Sequence, residues 1–492
     1  MELGSVLEFI ENKTILVTGA TGYLAKIFVE KILRVQPKVK KFYLLLRASD
    51  ANSANERFHD EVLGKDLFKV LREKYGANLN SFVSEKLIPV AGDISCEDLG
   101  VKDSYLRDEM FKEIDLVINF AATTNFDERY DIALGINTLG ALHVLNFAKK
   151  CLKAKMLVHV STAYVCGEDS GIILEKPFTM GRPKKGTSEI DIEMEKKLLE
   201  EKLNELISEN ASEKEITAFM KDFGIERARA FGWPNTYVFT KAIGEMLLMH
   251  FKKNMPLLII RPTMITSTYK EPFPGWIEGV RTIDSVIAGY AKGKVTCFIS
   301  DPQSTLDVIP GDMVVNGIIV AMAARAKQSS EIIYHLGSSL RNPVKLSNIH
   351  DFTFHYFSAN PWISKDGSPV KIQRGTILSS MARFRMYMAI RFQLPLQALK
   401  LANTMVFKKY EDTYASLNRK INLVMRLVDL YKPYVFFQGI FDDTNSEKLR
   451  IAARDQTMAT EANGFNFDPT TIDWEKYMMN VHIPGLVKYV MK

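Results

Sequence analysis

A doubly wound α/β fold, a parallel sheet covered by helices on both faces and followed by an α-rich segment, is what this 492-residue chain predicts. Three observations lead there. Short, continuously apolar runs recur with amphipathic stretches between them. A glycine-containing turn, TGATGYLA, follows the first run and opens a helix. Beyond about residue 345 the alternation gives way to helical periodicity. Strands apolar on both faces belong in parallel sheets sandwiched by helices, joined by right-handed βαβ crossovers.

The runs, in order, are TILVTGA (Thr14–Ala20), KFYLLLR (Lys41–Arg47), KLIPVAGDI (Lys86–Ile94), DLVINFAA (Asp115–Ala122), MLVHVSTA (Met156–Ala163) and LLIIRPTMI (Leu257–Ile265). Runs this short and continuously apolar read as strands buried on both faces. One segment, about 181–230, interrupts the rhythm and is polar and helical. Ile192, Leu199, Leu203 and Leu206 share a face there, so a helix packs over the domain. A solvated insertion is preferred to a lid over a cleft, because charge-rich helices are common and lids are not. The division expected is a dinucleotide-binding domain over 1–345 and an α-rich domain over 346–492. In the latter, TNSE at Thr444–Glu447 has the spacing of a capping box.

Between Gly367 and Tyr410 there is no acidic residue, while Lys371, Arg374, Arg383, Arg385, Arg391, Lys400, Lys408 and Lys409 are interleaved with Met, Phe, Leu and Ile. Such a stretch suits a membrane surface. It equally suits a helix that covers the core and snorkels its arginines to water.

Bulk properties set limits. With 47% hydrophobic and 25% charged residues and a net charge of +6, the chain is an ordinary globular one, without a nucleic-acid-binding signature. Cys96, Cys151, Cys166 and Cys297 are scattered and lack metal-ligand spacing, so free thiols in a reducing compartment are expected and no metal. No secretory signal, transit peptide, lipidation motif or membrane-spanning run is read. The most apolar candidate, VMRLVDLYKPYVFFQGI, carries Arg426, Asp429 and Lys432.

The chemistry lies at strand ends. Gly19 permits a tight turn, and Gly22 lets backbone approach a pyrophosphate on the helix N-terminus, with Ala25 where a third glycine often stands. This is the Rossmann-type arrangement. At the end of the second run Arg47 occupies the place of the acid that reads the ribose of NAD; a guanidinium suits the 2′-phosphate of NADP. Asp93 can accept from an adenine amino group or serve a turn. Thr162, with Ser161 as the alternate, places a hydroxyl at the carboxyl end of the sheet, where it can steady an oxyanion. His159 reads as a satisfied core histidine. In GWPNTYVFTKAIGE, Tyr237 and Lys241 lie one helical turn apart. An ammonium beside a phenol favours the phenolate and makes a usable general acid or base.

A glycine loop, a strand-end Ser/Thr and Y-x-x-x-K in that order resemble the short-chain dehydrogenase/reductase superfamily. RPTMI at Arg261–Ile265 and DVIPGDMVVN at Asp307–Asn316 resemble its extended branch. Together with LLLRA, AATTNFDERYD, VHVSTAYV, PFPGW and LYKPYVFFQGIFDDTNSEKLR, the whole chain resembles the plant alcohol-forming fatty acyl-CoA reductases. The gap from Thr162 to Tyr237 is long for an ordinary extended dehydrogenase but fits this family.

The resemblance implies Tyr237 as proton donor, Thr162 orienting the carbonyl, and Lys241 lowering the tyrosine pKa and holding the nicotinamide ribose. It implies cofactor contacts at Gly19, Thr21, Gly22, Tyr23, Leu24, Arg47, Asp93, Ile94, Tyr237, Lys241, Pro262 and Ile265. It further implies NADPH as cofactor and a long-chain acyl-CoA as substrate. The product is a primary fatty alcohol, by way of the aldehyde and with release of CoA, in a wax- or suberin-type pathway. The place implied is the cytosolic face of the endoplasmic reticulum, bound peripherally, with the cytosol as alternative. The rival readings are a reductase that stops at the aldehyde, an extended reductase acting on another carbonyl, and a non-catalytic NADP-sensing scaffold.

Overall fold

The apolar runs become strands of one sheet: β1 (Thr14–Thr18), β2 (Lys41–Leu46), β3 (Leu87–Ala91), β4 (Leu116–Asn119), β5 (Met156–Val160) and β6 (Leu257–Pro262). A seventh, β7 (Ile332–Leu336), joins β6 at the edge; no sequence signal had marked it. These are features of a computed structural model that describes residues 4–186, 189–325, 331–405, 411–456 and 463–491. The order is β3-β2-β1-β4-β5-β6-β7, with parallel pairing throughout. The fold is the doubly wound Rossmann type. Its strand order reverses between β1 and β4, and ligands bind such sheets in the crevice at that point. Leu16, Val117, Leu157, Ile259 and Ile333 belong to one buried cluster that helices cover. Each such side chain contributes about 1.5–3 kcal/mol of burial free energy.

Helix α1 (Tyr23–Val35) follows the glycine turn. The polar insertion forms α2 (Ile192–Ser208) and α3 (Glu213–Ala230). Ile192 and Leu199 are buried, and Leu203 and Leu206 are half-buried. Tyr130 donates to Glu195 at 2.8 Å, and Arg227 pairs with the same buried carboxylate, so α2 is fastened to the domain by a satisfied polar group. Helix α4 (Thr236–Phe251) comes next and carries Tyr237 and Lys241.

The chain divides into two compact units, neither continuous in sequence. One holds Met1–Gly279, Asp307–Asn342 and Ile440–Lys492, the other Val280–Leu306 and Pro343–Gly439. This differs from the single boundary expected after residue 345. Residues 280–306 leave the first unit and the stretch from Ile440 returns to it. The return has a physical cause: β7 is an edge strand whose polar backbone must be met. Helix α8 (Thr444–Gln456) supplies part of that. Asn445 donates to Ile333 O at 3.0 Å and Ser446 to His335 O at 2.7 Å. The helix starts where TNSE predicted, but not through the predicted box. The Thr444 hydroxyl is spent on Asp442, and Glu447 pairs with Arg450 and Arg341. Asp442 and Glu175 accept the N-terminal amides of Thr444 and Asn445 instead.

The second unit contains α5 (Met381–Met388), α6 (Leu394–Met405) and α7 (Glu411–Val435). Its small core joins Leu378, Phe384 and Met388 to Ile421, Met425 and Val428. Lys371, Arg374, Arg383, Arg385, Arg391 and Lys400 are exposed. Lys408 and Lys409 lie outside the described residues. Among the described residues no helix is long and apolar enough to cross a membrane.

Candidate active site

The site begins at the turn between β1 and α1. Gly22 N–H donates to Gly19 O at 2.8 Å, closing the turn. Gly19 has φ +64°, and a Cβ there would stand 2.7 Å from the Ala121 backbone after β4. No side chain caps α1 at Gly22, which is exposed. The first amides of α1, from Tyr23 and Leu24 onward, have no intrahelical partner and form an anion cradle. Thr21 is half-exposed beside them. This backbone fits a dinucleotide pyrophosphate. Tyr23 contributes no more than its backbone to that cradle. Its ring is buried and stacked on Trp276 at 5.1 Å, and its hydroxyl donates to Thr266 O and Trp276 O at 3.0 and 3.1 Å.

The turn before α4 explains GWPN. Gly232 adopts φ +91°, Trp233 Nε1 donates to Val165 O at 2.8 Å, and the Asn235 side chain caps the helix by accepting from Val238 N at 3.1 Å. Tyr237 therefore sits in the first turn of α4, half-buried, its ring stacked with Phe126 at 6.0 Å. Lys241, one turn on, is 1% exposed. Its Nζ donates to Val160 O at 2.8 Å and lies 3.3 Å from His159 Nε2. Burial lowers its pKa to about 8, opposed by Glu245. Glu245 is itself tied to Arg261 at 2.6 Å, a fully buried pair.

Beyond Val160, Ser161 and Thr162 end β5. Thr162 Oγ1 accepts from Tyr164 N at 3.3 Å, leaving its proton to donate. Ser161 Oγ is buried and has no hydrogen-bond partner among the described residues. Lys241 is thus anchored on the carbonyl of the residue that immediately precedes Ser161 and Thr162.

The remaining expected contacts ring the same end of the sheet. Arg47 is exposed after β2, and its carbonyl accepts from Arg57 at 2.5 Å. Asp93 Oδ1 accepts from the Ser95 amide and hydroxyl, both at 2.8 Å, so its turn role is realised. Ile94 is buried in the core cluster. Pro262 closes β6, and Ile265 pairs in register with Ile309 of the DVIPGD segment.

Sequence reasoning passed over Asn137. Its carboxamide accepts from Thr123 N at 3.0 Å and donates to Thr123 O and Thr240 Oγ1, both at 3.1 Å, joining the loop after β4 to the residue before Lys241. An asparagine inside an apolar helical stretch, LGINTLGAL, is the signal that marks it.

Residues 17–318 match a NAD-binding family model described as "Male sterility protein", and residues 391–492 match a second model of the same description. The alcohol-forming fatty acyl-CoA reductase of Simmondsia chinensis is 57% identical, covering 100% of this chain and 99% of that protein. Fatty acyl-CoA reductase 1 of Arabidopsis thaliana is 55% identical, covering 99% of each. Among solved structures, the terminal R domain of the myxalamid PKS-NRPS pathway aligns with a TM-score of 0.57 at 17% identity, covering 97% and 91% of the two chains. That likeness bears on the fold alone. Residues 17–318 are a nicotinamide-dinucleotide-binding reductase region, and the chain belongs to the fatty acyl-CoA reductase family.

Proposed function

We propose that this chain reduces a long-chain fatty acyl-CoA to the primary fatty alcohol with NADPH, releasing CoA and passing through the aldehyde. The observation that carries the reading is the anchoring of Lys241 on Val160 O, next to the Ser161–Thr162 hydroxyls and one turn from Tyr237. Two molecules of NADPH, bound in succession, would each supply one hydride, one for each of two reductions. In the first, the Thr162 and Tyr237 hydroxyls donate to the thioester oxygen as it gains charge. The tetrahedral adduct then collapses with loss of the CoA thiolate, which takes up a proton. In the second, Tyr237 gives its proton to the aldehyde oxygen. Buried Lys241 keeps a positive charge beside that phenol.

NADPH is favoured over NADH by Arg47, a guanidinium at the end of β2 with no acid in that position. The membrane relation is part of the proposal. Met386, Ile390, Leu394 and Leu401 recur at helical intervals along α5 and α6, each between 56% and 66% exposed, with exposed Arg383, Arg385 and Arg391 around them. That pattern supports peripheral binding to an anionic lipid surface, and the membrane we assign to it is the cytosolic face of the endoplasmic reticulum.

The test is incubation with NADPH or NADH and a series of acyl-CoAs, with product identification. Fatty alcohol and free CoA from NADPH are expected. Aldehyde alone would mean that the enzyme stops after one hydride, and no reaction across the series would overturn the reading. Tyr237→Phe should abolish turnover while NADPH binding survives. Co-sedimentation with anionic vesicles, lost in a variant carrying Ile390→Ser and Leu394→Ser, checks the lipid contact.

A further inference from the structure

Three neighbouring strands carry polar side chains in one row at the carboxyl end of the sheet. Thr18 on β1 is in register with Asn119 on β4, and Asn119 with His159 on β5. In a parallel sheet such a row points to one face, with strands about 4.8 Å apart. The row is continuous: Thr18 Oγ1 lies 2.6 Å from Asn119 Oδ1, Asn119 Nδ2 lies 3.1 Å from His159 Nδ1, and His159 Nε2 lies 3.3 Å from Lys241 Nζ. All four side chains are 2% exposed or less. At the far end Thr18 Oγ1 accepts from the Ala121 amide at 3.3 Å. The row terminates there on backbone, so it is a closed circuit and not a conduit for protons to solvent.

We propose that His159 is a positioning residue for Lys241, and that the charge on Lys241 sets the hydrogen-bond polarity of the whole row. An ammonium has protons alone to offer, so beside it Nε2 accepts and the neutral ring carries its proton on Nδ1. The Asn119 carboxamide, which presents Nδ2 to Nδ1 and Oδ1 to Thr18 in the structure, turns by 180° in this state, so that Nδ1–H donates to the Asn119 oxygen and the Asn119 amide donates to Thr18. A neutral amine offers a lone pair, so Nε2–H donates to it, Asn119 Nδ2 donates to Nδ1, and the Thr18 hydroxyl donates to Asn119 Oδ1. The imidazole is neutral in both states, because burial and the adjacent lysine push its pKa far down. The other groups facing Lys241 are the Val160 carbonyl from β5, Tyr237 one turn back, and Glu245 one turn on, which Arg261 from β6 neutralises. His159 is therefore the side chain that supplies a second acceptor to the buried ammonium. This deepens the reductase reading and rests on it for its kinetic arm.

The experiment compares His159→Gln, His159→Asn and His159→Leu. A glutamine oxygen reaches the place of Nε2 and can still accept from Lys241; an asparagine reaches the place of Nδ1 and cannot. In His159→Leu the alkaline limb of the rate–pH profile should move down by about one pH unit or more, as loss of a charge-assisted acceptor requires. Gln should restore the limb, Asn should not, and melting temperatures of all three report folding separately. On the cofactor-free protein, ¹⁵N signals of histidine-labelled samples, assigned by their loss in His159→Gln, should pass from the Nδ1–H to the Nε2–H tautomer near pH 8. An unmoved limb in His159→Leu, equal rescue by Asn and Gln, or a tautomer fixed from pH 6 to 10 would overturn the assignment. If wild-type protein reduces no acyl-CoA, the reductase reading falls, and the tautomer measurement still decides the role of His159.

Discussion

The indole N–H of Trp233 donates to the carbonyl of Val165 at 2.8 Å, across 68 residues of sequence. One end of this bond belongs to the turn that launches α4, the other to the loop that follows Thr162. It fixes the helix bearing Tyr237 and Lys241 against the strand end bearing the hydroxyls. Trp233→Phe keeps the aromatic packing on Phe178 and Phe239 but removes the donor. The Val165 carbonyl is then left without it, at a cost of about 1–3 kcal/mol. Stability by denaturant titration should fall by that amount, and kcat should fall more than KM rises, because reacting groups are displaced while binding surfaces stay.

The two hydroxyls at the end of β5 are separable by mutation. Thr162 already accepts one backbone amide, so its proton is the group left to give, whereas Ser161 Oγ is buried without a partner among the described residues. Thr162→Ala should lower kcat by about 100-fold, the usual loss for one oxyanion donor. Ser161→Ala should change kcat by less than about tenfold and leave stability equal or slightly higher, since it deletes an unpaired buried polar atom. Steady-state kinetics and thermal melts on both variants test the assignment; the reverse pattern transfers the role to Ser161.

Lys241 gives a prediction about stability against pH. Its pKa is lowered from 10.5 to about 8 by burial. Between those values the unfolded chain binds more protons than the folded one, so folding stability rises with pH across the window. Below pH 8 both states are protonated and the full cost of burying the ammonium is present. Relative to Lys241→Met, wild-type protein should gain about 2 kcal/mol between pH 7 and pH 9.5. Denaturant titrations of both proteins at the two pH values measure it. A constant difference would mean that Lys241 keeps its ordinary pKa, and a wild type that loses stability relative to Lys241→Met would mean a raised one.

Local chemistry was legible in the sequence where partners are near in the chain or fixed by strand ends. The apolar runs, the Gly19 turn and the Y-x-x-x-K face all follow from spacing of a few residues. What escaped depends on distant partners. β7 is short and contains Tyr334 and His335, so its run did not read as a buried strand; its identity comes from pairing with β6. The tail from Ile440 looked like part of a separate helical domain, because nothing in its own composition says that it must satisfy the edge of that strand. Tyr23 sat in a cofactor motif, yet its side chain is claimed by Trp276, 253 residues on. His159 was read as a satisfied core residue, and it is one; what the sequence could not supply is that Lys241 is among the groups that satisfy it.

The seating of α4 rests on Gly244. A Cβ at this position would lie 2.4 Å from the Asn137 carbonyl oxygen, a backbone atom that cannot swing aside. Helix α4 and the 134–139 turn are in contact there, and Asn137 also holds Thr240 through its carboxamide. Gly244→Ala improves intrinsic helix propensity by about 1 kcal/mol. The clash outweighs this, because overpacking a close contact costs about 1–3 kcal/mol and must be relieved by moving the helix. Moving α4 outward withdraws Lys241 from Val160 O and carries Tyr237, one turn earlier on the same helix, with it. The expected result is a variant that folds with a lowered melting temperature and loses most of its kcat, while a Gly→Ala change at exposed Gly4, where no atom lies within 4 Å, leaves kcat as it was. Wild-type activity in Gly244→Ala would show that α4 has slack at this contact, and the geometry argued for Tyr237 and Lys241 would lose its support.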